Sequence, residues 1–408
     1  MPITSINDAN DVLKVSLFTP GLRGWGIPLL AWGLPGVGKT HIISDFCRQH
    51  DLPLYVMSPG EMGEAAFGVV PVPEGSGPDM VVRFPPPGDL VDRFNTKSKR
   101  GVIFTDELTT APKAAKPGML SLLLEKRLGG YPFHDNVRVI AAANPPEIAA
   151  SGTDLTIPEA NRVVHVQWQM ADIESWTQHM FSALAGSTAP TATDPQTIED
   201  MVMAQWNDIF PQWIGKASGF LQQPSARKFF HAMPDKGQAR TRAWSSPRSW
   251  SMGIRVMAGS QIHKLSDELS EELLAGAIGD QTAAAFMAWC RDKDLPDAIE
   301  VLTGKIKWTP NSKRPDITYA VSLGMAAHIV GKHKVAKTSE EKKDVQHLLG
   351  QLFSITNAWT SVREITAVAG RTIIESGLSI GEAGEAGRTW LRAHSEVLKA
   401  TRAVQNAR

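Results

Sequence analysis

Cysteine is almost missing from this sequence. Cys47 and Cys290 are the only two in 408 residues, and both fall on apolar helical faces, which reads as packed free thiols rather than a disulfide or a metal site. Tyrosine is scarce too, three against twelve tryptophans, so the large aromatics read as core and interface anchors. Neither sign of charge is in excess, since 42 Lys and Arg balance 42 Asp and Glu. Non-specific affinity for nucleic acid comes from surplus positive charge, so this balance argues against a general polyanion binder and leaves room only for a local basic patch. No apolar run reaches the roughly 18 to 20 residues that a bilayer-spanning helix needs. The opening residues, with Asn7, Asp8, Asn10 and Asp11 ahead of any apolar stretch, do not have the form of a signal peptide, and the expected compartment is the cytoplasm. His328, His333 and His347 lack metal-ligand spacing with cysteines or acids. What is present is an ordinary globular composition, 42% hydrophobic and 21% charged, at a length that suggests two or three folded units.

The chain is organised around Gly33-Leu34-Pro35-Gly36-Val37-Gly38-Lys39-Thr40. The apolar run Ile27 to Trp32 before it reads as a buried strand, and Thr40 to His50 reads as a helix with Ile42, Ile43, Phe46 and Cys47 on one face. Strand, glycine-rich loop and helix are the context that makes this pattern a phosphate-binding signature. Gly36 and Gly38 let backbone N–H groups close around phosphate oxygens. The helix start adds its positive dipole end. Lys39 suits the β- and γ-phosphates, and the Thr40 hydroxyl suits Mg²⁺. The expected ligand is ATP or GTP. A second apolar run, Gly101 to Thr105, ends in Asp106-Glu107. Asp106 can share Mg²⁺ with Thr40, and Glu107 can polarise an attacking water. The same two acids would also suit the start of a helix expected from Pro112 to Arg127, bent near its start by Pro117-Gly118.

Further strands are expected at Leu52–Met57, Val137–Ala143 and Val163–Trp168. Asn144 would then stand at the carboxyl edge of the sheet, where ligands bind in open α/β folds. Residues 58–93 are rich in glycine and proline, a long exposed insertion with a hairpin expected between Gly68–Val72 and Met80–Phe84. A second short hairpin is expected over 128–136. Residues 1–26 carry a weak amphipathic pattern leading into the first strand. The segment 171–245 reads as helices and loops around Trp176, Phe181, Trp206, Phe210 and Trp213, with a flexible stretch from Ala185 to Pro195. Ser249 to Leu302 reads as a helical lid, Ile306 to Pro315 as a linker, and Ile317 to Arg408 as three or four helices with a charged connector at Lys332–Lys343. The fold class is α/β: a P-loop αβα sandwich with a parallel five-stranded sheet, a helical lid and a C-terminal helical extension. The expected boundaries are a nucleotide-binding core at 1–170, a connecting segment at 171–245, the lid at 246–305 and the extension at 306–408.

Together, Gly-Leu-Pro-Gly-Val-Gly-Lys-Thr (33–40), Phe-Thr-Asp-Glu-Leu (104–108), Ala-Ala-Ala-Asn-Pro-Pro-Glu (141–147), Pro-Glu-Ala-Asn-Arg (158–162) and Ser-Pro-Arg-Ser-Trp (246–250) resemble the AAA+ ATPases, and within them the MoxR group. The resemblance covers roughly residues 25–300. It implies ATP over GTP, in keeping with the lack of a guanine-reading Asn-Lys-x-Asp. It implies that Asn144 is sensor 1, orienting water with Glu107. Arg162 would be the arginine finger reaching a neighbouring subunit's γ-phosphate, and Arg248 would be sensor 2 in its own subunit; Arg138 and Arg242 compete for these roles. A finger acting in trans implies a closed ring, a hexamer. The group also implies a protein partner, among them von Willebrand factor A-type proteins. Phe67-Gly68-Val69 is similar to an aromatic loop that grips a threaded chain, or else is a hydrophobic plug, and Gly129–Asn136 resembles a hairpin facing the ring's pore. The function expected is an ATP-hydrolysing ring motor that remodels or activates a protein. The alternatives are a DNA- or RNA-directed helicase or loader, against which the charge balance speaks, and an assembly switch with little turnover.

Overall fold

In a computed structural model of the chain, the described residues are 3–62, 67, 70–94, 99–145, 148, 154–169, 177, 193–230, 242–292 and 294–395. Their contacts form two compact units, Met1–Met203 with His231–Ala283, and Ala204–Phe230 with Ala284–Arg408. The first unit thus takes in most of the segment read as a lid, which the linear boundaries set apart.

The first unit begins with α1 (Ile6–Phe18), whose N-cap Ser5 accepts the Asp8 N–H at 3.0 Å. Val12, Leu13, Leu17 and Phe18 are buried on it, so the weak pattern of the first residues is a full core helix. There follow β1 (Leu29–Trp32), α2 (Lys39–Gln49), β2 (Leu54–Met57), α3 (Pro59–Met62), β3 (Val72–Glu74), β4 (Val81–Arg83), α4 (Gly88–Phe94), β5 (Gly101–Thr105), α5 (Lys116–Glu125), β6 (Arg127–Leu128), β7 (Tyr131–Pro132), β8 (Val137–Ala143), α6 (Ile157–Ala160) and β9 (Val164–Gln167). The five-stranded sheet has the order β2-β5-β8-β1-β9, and every pair is parallel. Residues of β1, β5 and β8 are buried throughout, as continuous apolar strands covered on both faces should be. The parallel register brings the carboxyl ends of β1, β5 and β8 to one edge: Trp32 pairs with Ala143, and Thr105 with Ala141.

Both expected hairpins are present. β3 and β4 pair antiparallel, Val72 with Arg83 and Glu74 with Val81, so the first arm lies later than Gly68–Val72. Its apolar residues Val72, Val81, Val82 and Phe84 are exposed. Phe67 is the opposite: it has no exposed surface and packs with Met57, Leu90, Leu108 and Met119. This corrects its reading as a gripping aromatic in favour of the plug; Gly68 and Val69 lie outside the described residues. In the second hairpin Phe133 is buried against Phe94 and Tyr131, leaving only His134 of its three rings exposed. The helix expected from Pro112 starts at Lys116 instead, which puts Pro117 in its first turn. A missing N–H there breaks no helical bond, so proline starts this helix rather than bending it.

Arg138 is also corrected. It is fully buried at the start of β8, where Nε donates to the Leu17 carbonyl at 3.0 Å and the guanidinium lies 5.5 Å from the Phe18 ring. It pairs with Glu199, which also accepts from Arg100 at 2.8 Å. Glu199 belongs to α7 (Pro195–Gln222), so the triad fastens the first turns of this helix to the foot of the sheet. Arg138 is structural and leaves the contest for a phosphate-facing role. Residues 171–176, 178–192 and 231–241, with Trp176 and Phe181 among them, lie outside the described residues.

Two more helices complete the first unit, α8 (Pro247–His263) and α9 (Asp267–Ile278). α9 covers edge strand β9 so closely that a β-carbon on Gly276 would collide with the His165 carbonyl. The sheet edge is thereby closed to other strands.

The second unit is helical. It holds the later turns of α7 and of α10 (Asp280–Cys290), then α11 (Ala298–Leu302), α12 (Pro315–Val335), α13 (Ser339–Ala358), α14 (Arg363–Glu375) and α15 (Gly384–Ala393). Trp213, Phe220, Phe286 and Trp289 form an aromatic core, with Phe220 and Phe286 rings 5.4 Å apart. Burial alone would raise the Asp316 carboxyl, but hydrogen bonds from Arg314, Trp289 and Gln223 bring it down to about 2. The four C-terminal helices agree with expectation. The charged connector shrinks to residues 336–338, because α12 continues to Val335 and α13 starts at Ser339 under a Thr338–Glu341 capping box. Cys47 and Cys290 are free, and burial pushes both thiols up to about 12. No helix among the described residues is long and apolar enough to cross a membrane.

Removing one member of a buried ion cluster leaves the others charged and unpaired. Glu199→Ala should therefore cost about 3 kcal/mol or more in chemical denaturation followed by circular dichroism. A loss below about 1 kcal/mol would show that the triad does not fasten α7.

Candidate functional site

The phosphate loop leaves β1 at Gly33 and enters α2 at Lys39. Gly36 and Gly38 have φ of 80° and 87°, a backbone region that a β-carbon disfavours. Gly38 is the N-cap of α2 and contributes no side-chain cap. The first N–H groups of a helix have no partners within it, so this end offers donors and a positive dipole to an anion. Leu34, Pro35 and Gly36 are exposed, while Lys39 is buried.

Lys39 is the joint of the site. Its Nζ donates to the Gly33 carbonyl at 2.6 Å, the Leu34 carbonyl at 3.1 Å and Asn144 Oδ1 at 3.1 Å. Burial lowers its pKa, and the carboxylates of Asp106 and Glu107 act against that shift. Thr40 Oγ1 donates to Asp106 Oδ2 at 2.6 Å. Asp106 Oδ1 accepts the Glu107 N–H at 2.9 Å. Glu107 has φ 52° and is exposed, so the chain turns sharply after β5 and presents this carboxylate rather than burying it in a helix. The structure therefore brings together Lys39, Thr40, Asp106 and Asn144, with Glu107 beside them.

This donor set fits Mg²⁺. Thr40 and Asp106 supply two oxygens in contact, and among the described residues no group of three or more His, Cys, Asp or Glu could cage an ion. Mg²⁺ is commonly held by one or two protein oxygens, the substrate's phosphates and water.

The two expected arginines meet elsewhere. A cavity of about 620 Å³ is lined by Ile157, Pro158, Asn161, Arg162, Trp244, Ser246, Pro247 and Arg248. No residue of 33–40 lines it. Arg162 Nη1 donates to the Pro158 carbonyl at 2.8 Å, while its Nε is buried without a partner. Burial lowers the Arg162 pKa, and the positive charge of Arg248 lowers it further. Among the described residues neither arginine forms an ion pair. Arg242 is placed apart from both, with its guanidinium 4.0 Å from the centre of the Trp32 ring and 3.3 Å from Asp154.

Sequence reasoning missed one buried connection. The Trp32 indole donates to His165 Nδ1 at 2.9 Å, and His165 Nε2 lies 2.8 Å from the Ala160 carbonyl. Since Nδ1 accepts, Nε2 carries the proton and the ring is neutral. The strand that ends in the phosphate loop is thus bonded through β9 to the helix preceding Arg162. The only sequence signal was a lone polar residue inside an apolar strand, Val163-Val164-His165-Val166.

Residues 29–152 match the family described as the ATPase family associated with various cellular activities (AAA). This matched segment carries the loop, both acids and Asn144. No curated protein matches the chain. Among solved structures, a candidate ATPase from Cytophaga hutchinsonii is similar over 68% of this chain and 82% of that one, at 14% identity and a TM-score of 0.45.

Burial pushes the His165 pKa from 6.5 down to about 4, and that of His263 similarly. Between pH 6.5 and 4 the unfolded chain binds more protons than the folded one, so stability falls as pH falls through this window. His165→Gln should flatten the slope of unfolding free energy against pH by up to one proton. An unchanged slope would mean that His165 is not held neutral.

Proposed function

We propose that this chain is an ATP-hydrolysing motor of the MoxR-like kind, which assembles into a ring, probed most simply as a hexamer, and works on a protein partner. The observation that supports this best is the division of charge. One edge of the sheet gathers a loop, a lysine and two acids able to hold and hydrolyse a triphosphate. A separate cavity holds two guanidiniums, neither of which forms an ion pair among the described residues. Their like charges disfavour each other, the carboxylates of Glu125 and Glu159 offset this for Arg162, and an anion brought by another copy of the chain would relieve it further.

In this reading ATP lies along residues 33–40, with N–H groups of the loop and Lys39 on its phosphates. Thr40 and Asp106 would hold Mg²⁺, which supplies neutralising charge to the β- and γ-oxygens when bound. Glu107 accepts a proton from the attacking water as it adds to the γ-phosphorus and the bond to the β,γ-bridging oxygen breaks, leaving ADP and inorganic phosphate, and Asn144 orients that water. The hydrogen bond from Lys39 to Asn144 Oδ1 keeps this amide beside the ammonium that faces the phosphates. Arg162 enters the neighbour's site as an arginine finger. Arg248, expected from the sequence to serve its own subunit, shares the cavity with Arg162, which favours delivery of both across the ring. The partner is a protein, with a von Willebrand factor A-type domain as the first candidate to test.

Glu107→Gln should bind ATP with near-normal affinity and fail to turn it over. Arg162→Ala should lower kcat by about 10³-fold or more, and mixing the two variants should restore activity by pairing an intact site with an intact finger. Full activity in either single variant would refute the assignment.

A further inference from the structure

Arg162 and Arg248 belong to different elements, yet the residues beside them are bonded to each other. Asn161 closes α6 directly before Arg162. Ser246 is the N-cap of α8, two residues before Arg248. Ser246 Oγ donates to Asn161 Oδ1 at 2.9 Å, and Asn161 Nδ2 reaches the Trp244 carbonyl at 3.5 Å. Both side chains are buried, as is Ser249. Ser249 donates its N–H to Ser246 Oγ at 3.1 Å and its hydroxyl to the Trp244 carbonyl at 2.7 Å.

Capping α8 uses only a lone pair of the Ser246 hydroxyl. Donating its proton to Asn161 is required by neither helix. What that bond does is tie the end of one arginine-bearing segment to the start of the other, away from solvent. The two guanidiniums repel each other, so without a tie they would separate until a phosphate arrived. A prearranged pair avoids that reorganisation when charge develops on the transferring phosphoryl group.

We propose that Asn161 and Ser246 are positioning residues whose hydrogen bond yokes Arg162 to Arg248, so that both meet the same phosphate of a neighbouring subunit as a preset pair. This rests on the reading that the arginines act in trans. Asn161 and Ser246 line the cavity beside the arginines, with their side-chain polar atoms bonded to each other. Their effect is carried entirely by the arginines next to them.

The test is steady-state ATP hydrolysis by the full chain, alone and in mixed rings. Asn161→Ala should lower kcat by about 10- to 100-fold, the cost of misplacing catalytic groups by an ångström or so, with the KM for ATP changed by less than about threefold. Ser246→Ala breaks the same bond from the other side and should do likewise, while Ser246→Thr, which keeps the hydroxyl, should restore most of the rate. Mixing Asn161→Ala with Glu107→Gln chains should recover activity, because the intact acid of one variant then faces the intact arginine pair of the other. A fold defect would not be complemented in this way. If Arg162→Ala is complemented by Glu107→Gln and Asn161→Ala is not, the yoke is overturned and the trans reading stands. If Arg162→Ala is not complemented either, both fall. Wild-type kcat in Asn161→Ala and Ser246→Ala would also overturn the yoke.

Discussion

The site depends on where the Lys39 ammonium is held. It is buried, and three oxygens from two strand ends surround it, the Gly33 and Leu34 carbonyls and the Asn144 amide. A buried charge is tolerated only when its hydrogen bonds are met. The sheet must therefore bring the ends of β1 and β8 side by side, and the parallel register that pairs Trp32 with Ala143 does so. Once these strands are adjacent, β5 on the far side of β8 carries Asp106 to Thr40. The P-loop, the acids and Asn144 are thus consequences of one strand order.

The periphery of the first unit shows the same economy of buried polar contacts. Glu199 accepts from both Arg138 and Arg100 at the foot of the sheet. His165 stays neutral between the Trp32 indole and the Ala160 carbonyl. Ser246 caps a helix and binds Asn161 with the same hydroxyl. Each contact joins elements far apart in the chain, which restricts their relative movement more than apolar packing of similar size would. The exposed apolar residues of β3 and β4 stand outside this scheme.

Much of the nucleotide site was legible without a fold. A phosphate-binding loop is a local structure, and its demands on backbone conformation and charge appear as glycine, lysine and threonine at set spacings. The strands around it were legible because buried parallel strands are continuous apolar runs. The roles of Phe67 and Arg138 were not. An aromatic in a glycine-rich insertion looks the same in sequence whether it faces solvent or the core, and an arginine opening an apolar strand looks free until Glu199, 61 residues later, is seen to neutralise it. Pro117 opens its helix instead of bending it because the helix starts at Lys116 and not at Pro112.

The sequence by itself determined that this chain carries a phosphate loop, a paired-acid strand and a polar strand end in the order of an AAA domain, since each is written in a few contiguous residues. Only the tertiary structure decided which arginines are structural and which share a cavity, that Asn161 is bonded to Ser246 beside them, and that His165 accepts from the Trp32 indole. Those are relations between residues dozens of positions apart, set by how strands and helices pack. No local pattern encodes the neighbour that a charged side chain will meet.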